Sequence, residues 1–500
     1  MAKVYDNATD IITFARGSSG TALRRVGYGD DLAITFSKTG DNGTNTITLY
    51  DDGYDINQVD ASSIAQVQIN GTFEANKTYV LAGDYTVSSG GFKIDQSNLA
   101  GGSITVSGYT VFRPLTAVTS IGIYRNVIPS AATFRNISVR EVFFDRATDP
   151  LVLFSHPDDT PRIEYGSDGS LKGLLIEEQR TNLVMHSEDL NLSFASLSGV
   201  SIEPAAATEG PISAAQRMVA DTSTGFHRAA GTALVQNSTD YTFSCFFKAD
   251  GQNVCGLSVY TGTSFAARAS FDLSTVQETV SNGSATIKSV GGGWYHCAVT
   301  GATTGTTATV YIYVNSLFSA TGDDTSGVFV YGAQLEAGSF PTSYIPTSGS
   351  QQTRSADIAS IPVSAFGYNQ DAGSLLVDVN TFDNDYGNWV WELDGSSDTS
   401  LYAHGAGTGW RLFGAGGTIA YLGTLPANAS ANIGYAYDHI GSSALIDGGS
   451  ITAQTFGQPV NVATLKIGAT GPISRLNGHI KSLKYYPRRL TNTQLQELTA

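Results

Sequence analysis

Three of the four tryptophans of this 500-residue chain, Trp389, Trp391 and Trp410, lie close together near its C-terminal end, and an acidic pair, Glu392 and Asp394, sits among them. Flat aromatic rings beside polar groups suit sugar recognition. The apolar C–H face of a pyranose stacks on a ring while nearby donors and acceptors fix its hydroxyls. Tyr402, His404 and Asp394 are the nearest polar candidates. The run NWVWELDG reads as a strand, so alternation puts the rings of Trp389 and Trp391 on one face. Large aromatics also dominate burial, and these two are expected in the core between two sheets. Trp410, between Gly409 and Arg411, is expected at the surface and is the stronger binding candidate.

The acidic pair also raises hydrolysis. A retaining glycosidase needs two carboxyl groups ~5–5.5 Å apart, one as nucleophile and one as acid. Retaining glucanases on a concanavalin-like fold meet this with an E-x-D-x-x-E run on one strand. Here the run is Glu392-Leu393-Asp394-Gly395-Ser396-Ser397-Asp398. The final Glu is absent, and Gly-Ser-Ser reads as a turn that carries Asp398 away from the other two. A glycoside hydrolase acting through Glu392 and Asp394 is therefore the weaker alternative, and no catalytic residue is expected.

Other chemistry finds less support. There is no G-x-S-x-G, no H-E-x-x-H and no paired cysteine spacing. No two of the seven histidines fall within four residues of each other. Cys245, Cys255 and Cys297 are an odd number, and Cys245 and Cys297 stand among apolar strand residues, as small core hydrophobes do. Asp51, Asp52 and Asp55 could form a calcium loop, but their spacing fits no defined motif. A solvated turn is expected there, with no cofactor.

The formal charge of −16 repels nucleic acid, whose affinity for proteins rests largely on Lys and Arg. No run approaches the ~20 apolar residues of a membrane helix, and the start MAKVYDNATDIITF has no apolar signal region. The expectation is synthesis in the cytoplasm without a signal peptide, and no membrane insertion. Gly is abundant at 55 residues, charged residues are only 14%, and Tyr and Phe number 24 and 23. Short strands joined by tight turns follow from that composition, and the length calls for several domains.

Period-2 alternation supports this. It runs through Thr78–Val87, Ile104–Phe112 and Phe134–Val142. It recurs in Tyr241–Lys248, where Tyr241, Phe243, Cys245 and Phe247 share a face, and in Val310–Val314 and Ser374–Thr381. One helix is expected, after Pro487, where Thr491 and Gln494 make a capping box. No coiled-coil heptad or collagen period is present.

Three strings are the most specific feature of the chain: GLLIEEQRTNLVMHSED (Gly173–Asp189), VGGGWYHCAVTG (Val290–Gly301) and GAQLEAGSFPTSYI (Gly332–Ile345). Together with IITFARGSSGTALRRVGYGD (Ile11–Asp30), they resemble the connecting modules of tailed-bacteriophage virion proteins: fibres, spikes and decoration proteins that display lectin-like domains. The resemblance implies an all-β, multidomain chain. The connector's first half would occupy 1–31 and a carbohydrate-binding-type sandwich would be inserted at 32–144. The second half would follow at 145–189, a second sandwich at 190–350, and a concanavalin A-like or laminin-G-like lectin domain at 351–500. It gives Arg16, Arg162, Glu177, Glu178 and Arg180 an assembly role, locking neighbouring subunits or adjacent domains. It also implies a position on the exterior of the virion, with host surface polysaccharide and other virion proteins as partners and a homo-oligomer, most simply a trimer. Against the adhesin stands a purely structural capsid or tail decoration protein with no ligand.

Overall fold

The computed structural model describes residues 13–89, 91–95, 99–100, 103–105, 109–125, 128–204, 215–315, 317–382, 388–394, 399–403, 409–414, 419–423, 430–454, 459–468 and 475–500. Among them the chain is nearly all strand, arranged in several antiparallel sheets, as the composition and alternation require. The helices among the described residues are the turn Leu190–Ser193, capped by Asp189, a short 3-10 turn at Val363–Ala365, and Asn492–Thr499. The last has the expected capping box between Thr491 and Gln494 and packs Leu495, with the preceding Leu490, against Leu376 and Leu445. None is long and apolar enough to cross a membrane.

Three cores follow one another. The first lies between a five-stranded and a seven-stranded sheet and contains Tyr54, Val67, Ile69, Phe73, Phe112, Ile123 and Phe134. The stretch Ile104–Phe112 does not run as one strand. Ser103–Thr105 joins one sheet of this sandwich and Tyr109–Phe112 the other. The aspartates of the calcium-loop reading sit at the hairpin between Thr46–Tyr50 and Gly53–Gln58. Asp55 is held there by Arg135 at 2.8 Å and by the Tyr50 hydroxyl at 2.9 Å.

The second core lies between two six-stranded sheets. Tyr241, Phe243, Cys245 and Phe247 point into it together, with Val310, Ile312 and Val314 from the opposite sheet. All three cysteines are free and buried there. Fully burying a side chain such as Phe243 contributes roughly 1.5–3 kcal/mol, so alternation of this kind fixes which face of each strand turns inward.

The third core lies between two seven-stranded sheets, and both recruit strands from far upstream. Thr13–Ala15 pairs with Ile358–Pro362 at the edge of one. In the other, Leu171–Ile176 pairs with Gly478–Tyr486, and Ile163–Tyr165 pairs in turn with Leu171–Ile176. Ile163, Leu174 and Ile176 are consequently core residues alongside Val377 and Trp391. Gly173, at φ +119°, allows the close approach, since a Cβ there would stand 2.3 Å from the Ile480 carbonyl oxygen.

The segments between the sandwiches are equally tied. Gly20–Asp31 pairs with both Ser130–Phe144 and Leu151–His156. The stretch after Pro346 is fastened where Thr347 bonds Ser187 and Val184, and where Gln352–Arg354 pairs with Arg180–Asn182.

Candidate functional site

Where the first sandwich's sheet, the second sandwich and the C-terminal sandwich meet, five charged side chains are packed together with 2% or less of their area exposed: Arg16, Arg162, Arg354, Glu177 and Asp357. Local structure delivers each one. Arg16 follows the strand Thr13–Ala15, Arg162 precedes Ile163–Tyr165, and Glu177 follows Leu171–Ile176. Arg354 ends Gln352–Arg354, and Asp357 immediately precedes Ile358–Pro362.

Arg16 Nη1 lies 3.2 Å from Asp357 Oδ1, and Arg162 Nη1 lies 2.7 Å from Glu177 Oε2. Arg162 also pairs with Asp357, and Arg354 Nη2 stands 3.5 Å from Glu177. Three guanidinium groups face two carboxylates; backbone carbonyls take up several of the remaining donors, while Arg162 Nε and Arg354 Nε are buried without a hydrogen-bond partner among the described residues. Arg16 donates to Pro157 O at 2.9 Å, Arg354 to Glu178 O at 2.7 Å and Arg162 to Thr21 O at 3.3 Å. Ser343 donates from its backbone and its hydroxyl to Glu177, at 2.9 and 2.6 Å.

Burial by itself would raise the Glu177 carboxyl. The cations Arg354 and Arg162 outweigh it and bring the group down to about 2. Burial and the like charge of Arg162 lower Arg16 to about 10, still protonated at neutral pH.

The third string supplies the other half of this joint. Glu336, buried, accepts from the Thr342 amide at 2.9 Å, the Thr342 hydroxyl at 2.6 Å and Gln334 Nε2 at 2.8 Å. Asn182 bonds Ala333 O, Ile345 O and the Leu335 amide, stitching the first string to the third. Arg180 pairs with Glu178 at 2.5 Å and lies over the Phe340 ring at 5.1 Å.

The aromatic candidates are placed differently from the expectation. Trp410 is 2% exposed and belongs to the C-terminal core, so it is not a surface residue. Its neighbours Gly409 and Arg411 are misleading; its parity with Leu412, also in the core, decides its direction. Trp391 is in the core as expected, 5.3 Å from Tyr435. A bulge between Trp389 and Trp391 brings Val390 into the core as well, so the two tryptophans do not share a face and Trp389 is only half-buried.

Glu392 and Asp394 do share an outer face, but Lys466 of the adjacent strand Thr464–Ile467 pairs with both, at 2.7 and 3.1 Å. Tyr402 lies in Thr399–Ala403 opposite Trp389, whereas His404 and Asp398 fall outside the described residues.

Beside the ion cluster a cleft of about 1490 Å³ opens between the second sandwich and the C-terminal sandwich. One wall carries Ser284, Thr286 and Lys288, and the other carries Asp378, Asn380, Ser430 and Asn432. Residues 164–168, 170–172 and 339–344 border it as well. Phe382 stands in this lining 5.9 Å from Phe340, 5.1 Å from the ring of His479 and 5.8 Å from Lys288 Nζ.

His479 Nε2 is 2.6 Å from Glu164 Oε2, while its Nδ1 is buried without a hydrogen-bond partner. That contact outweighs burial and lowers the Glu164 carboxyl. His296, stacked on Phe246 at 4.6 Å, is lowered to about 3 by burial and by Lys288, so it is neutral.

No protein-family model matches the sequence, and no curated protein is similar to it. Solved structures overlap it only loosely. The tandem CBM22-1–CBM22-2 domain of Xyn10C from Paenibacillus barcinonensis is 11% identical with a TM-score of 0.21, covering 63% of this chain and 94% of that one. The sialidase of Trypanosoma rangeli, in complex with the inhibitor DANA, is 10% identical with a TM-score of 0.24, covering 96% and 94%. At such scores neither carries an argument about this chain.

Among the expected site residues, Arg16, Arg162 and Glu177 come together, and Glu178 with Arg180 flanks them. Asp357, Arg354, Asn182 and Glu336 complete the joint and were not singled out, although Asn182 and Glu336 stand inside the matching strings. Phe382 and the polar walls of the cleft had no sequence signal beyond alternation.

Proposed function

We propose that the chain is a structural subunit of a bacteriophage or phage-derived particle, on whose exterior it displays β-sandwich domains to bacterial surface polysaccharide. The observation that supports this reading is the buried ion cluster. The strings Ile11–Asp30 and Gly173–Asp189 carry Arg16 and Glu177, the connector's second half carries Arg162, and these three meet Arg354 and Asp357 and fasten the sandwiches to one another. A rigid array of binding modules is what an adhesin requires. Display in several copies, as a homo-oligomer and most simply a trimer, would raise weak individual affinities through avidity.

The test has two arms. Antibody to the chain should label the outside of particles, and particles lacking residues 351–500 should lose adsorption to cells. Normal adsorption by such particles would sink the adhesin.

A ligand-free decoration subunit is the second reading, favoured by the same cluster because so much of the connector is committed to rigidity. It expects particles without the chain to break more readily under heat or osmotic shock while adsorbing normally. The hydrolase reading is disfavoured by Lys466, which ion-pairs with both Glu392 and Asp394. It requires that Glu392→Gln abolish release of reducing ends from a polysaccharide that the wild type degrades.

A further inference from the structure

We infer that the cleft between the second sandwich and the C-terminal sandwich is an oligosaccharide-binding groove, taking a segment of several sugars with one ring seated on Phe382. This rests on the adhesin reading and places its site away from the tryptophans.

The size and the two walls argue for it. At about 1490 Å³ the cleft exceeds the roughly 300–1,000 Å³ of small-molecule sites, which suits a chain segment better than a single small ligand. On the C-terminal wall Asp378 stands directly opposite Asn432, and Asn380 opposite Ser430, in adjacent antiparallel strands. Residues i and i+2 share a face, so these four make a small grid of polar groups. Among the described residues the side chains of Asn380 and Asn432 have no hydrogen-bond partner, although both are partly buried. Amide groups of this kind can donate and accept together, as adjacent sugar hydroxyls require.

The facing wall repeats the pattern. Ser284, Thr286 and Lys288 occupy alternate, exposed positions of the strand Ser284–Ser289, and Lys288 has no ion-pair partner among the described residues. If the cleft were only a joint between sandwiches, these walls would close on each other as the ion cluster does. Instead they stay apart, with the half-buried Phe382 and Phe340 supplying the apolar surface that a pyranose face needs.

The experiment uses the full chain on an array of bacterial capsular polysaccharides and lipopolysaccharides. Wild type is compared with Phe382→Ala, the double variant Asn380→Ala/Asn432→Ala and, as a control remote from the cleft, the exposed Ile440→Ser. Amine-reactive labelling of Lys288 is followed by mass spectrometry with and without the bound polysaccharide. The groove predicts wild-type retention, at least a tenfold loss in both cleft variants with unchanged melting, none in Ile440→Ser, and protection of Lys288 by the ligand. Retention undiminished in the cleft variants, with Lys288 labelled equally, would overturn the groove and leave the adhesin standing with its site elsewhere. No retention of any polysaccharide by the wild type would overturn both.

Discussion

Glu177 and Asp357 each answer to more than one guanidinium, and the five charges in the cluster are almost wholly buried. Removing one partner strands the others, which typically costs 3–5 kcal/mol even where the intact pair adds little. Asp357→Asn should therefore destabilise the chain by about that much in urea denaturation. An effect under ~1 kcal/mol would mean that the backbone carbonyls alone satisfy Arg16 and Arg162.

Acid should weaken the same joint. Glu177 sits near 2 in the fold against an ordinary 4.5, so its contribution is present above 4.5 and disappears as pH falls toward 2. His296, held to about 3, and His156, lowered by burial and then by Arg24, act in the same sense from 6.5 downward. Each is neutral in the fold and must charge on acidification. Melting temperature should hold above pH 6.5 and fall steadily below it; a maximum near pH 4 would contradict this assignment.

At this scale the sequence was partly readable. Arg16 and Glu177 stand in distinctive strings and Arg162 in the connector's second half, but nothing near Asp357 announces partners more than 170 positions away. Trp410 is misleading because Gly409 and Arg411 suggest exposure, whereas strand parity with Leu412 sets its direction inward.

Strands and the terminal helix were legible where the signal is local. The capping box at Thr491 and Gln494 needs only four residues, and Thr491→Ala should cost about 1 kcal/mol in a thermal melt. No change would show that Leu490 and Leu495 hold the helix without its cap. Alternation likewise placed Phe243, Cys245 and Phe247 in a core. It could not say which sheet a strand joins, as with Ser103–Thr105 and Tyr109–Phe112, nor foresee the bulge that separates Trp389 from Trp391. Gly173 is the element-scale position most exposed to challenge. Its positive φ and the nearby Ile480 carbonyl predict that Gly173→Ala loses more than ~1 kcal/mol. Hydrogen exchange should show the loss concentrated in Leu171–Ile176 and Gly478–Tyr486.

Over the whole molecule, the C-terminal sandwich is discontinuous in sequence, with strands from 13–15 and 163–176 at the edges of its two sheets. A fragment of residues 351–500 should accordingly bind a hydrophobic dye and melt broadly, and a sharp melt at the temperature of the full chain would refute that. Composition announced an all-β chain of several sandwiches. It could not announce this interleaving, because hydrophobic pattern fixes faces and not partners.

The measurement that bears most directly on the account is differential scanning calorimetry of the full chain and of Asp357→Asn. If the ion cluster fastens the second and C-terminal sandwiches into one body, the wild type unfolds them in a single transition. The variant should then split that transition into two at lower temperature. Two separate transitions already in the wild type, or a variant indistinguishable from it, would contradict the account.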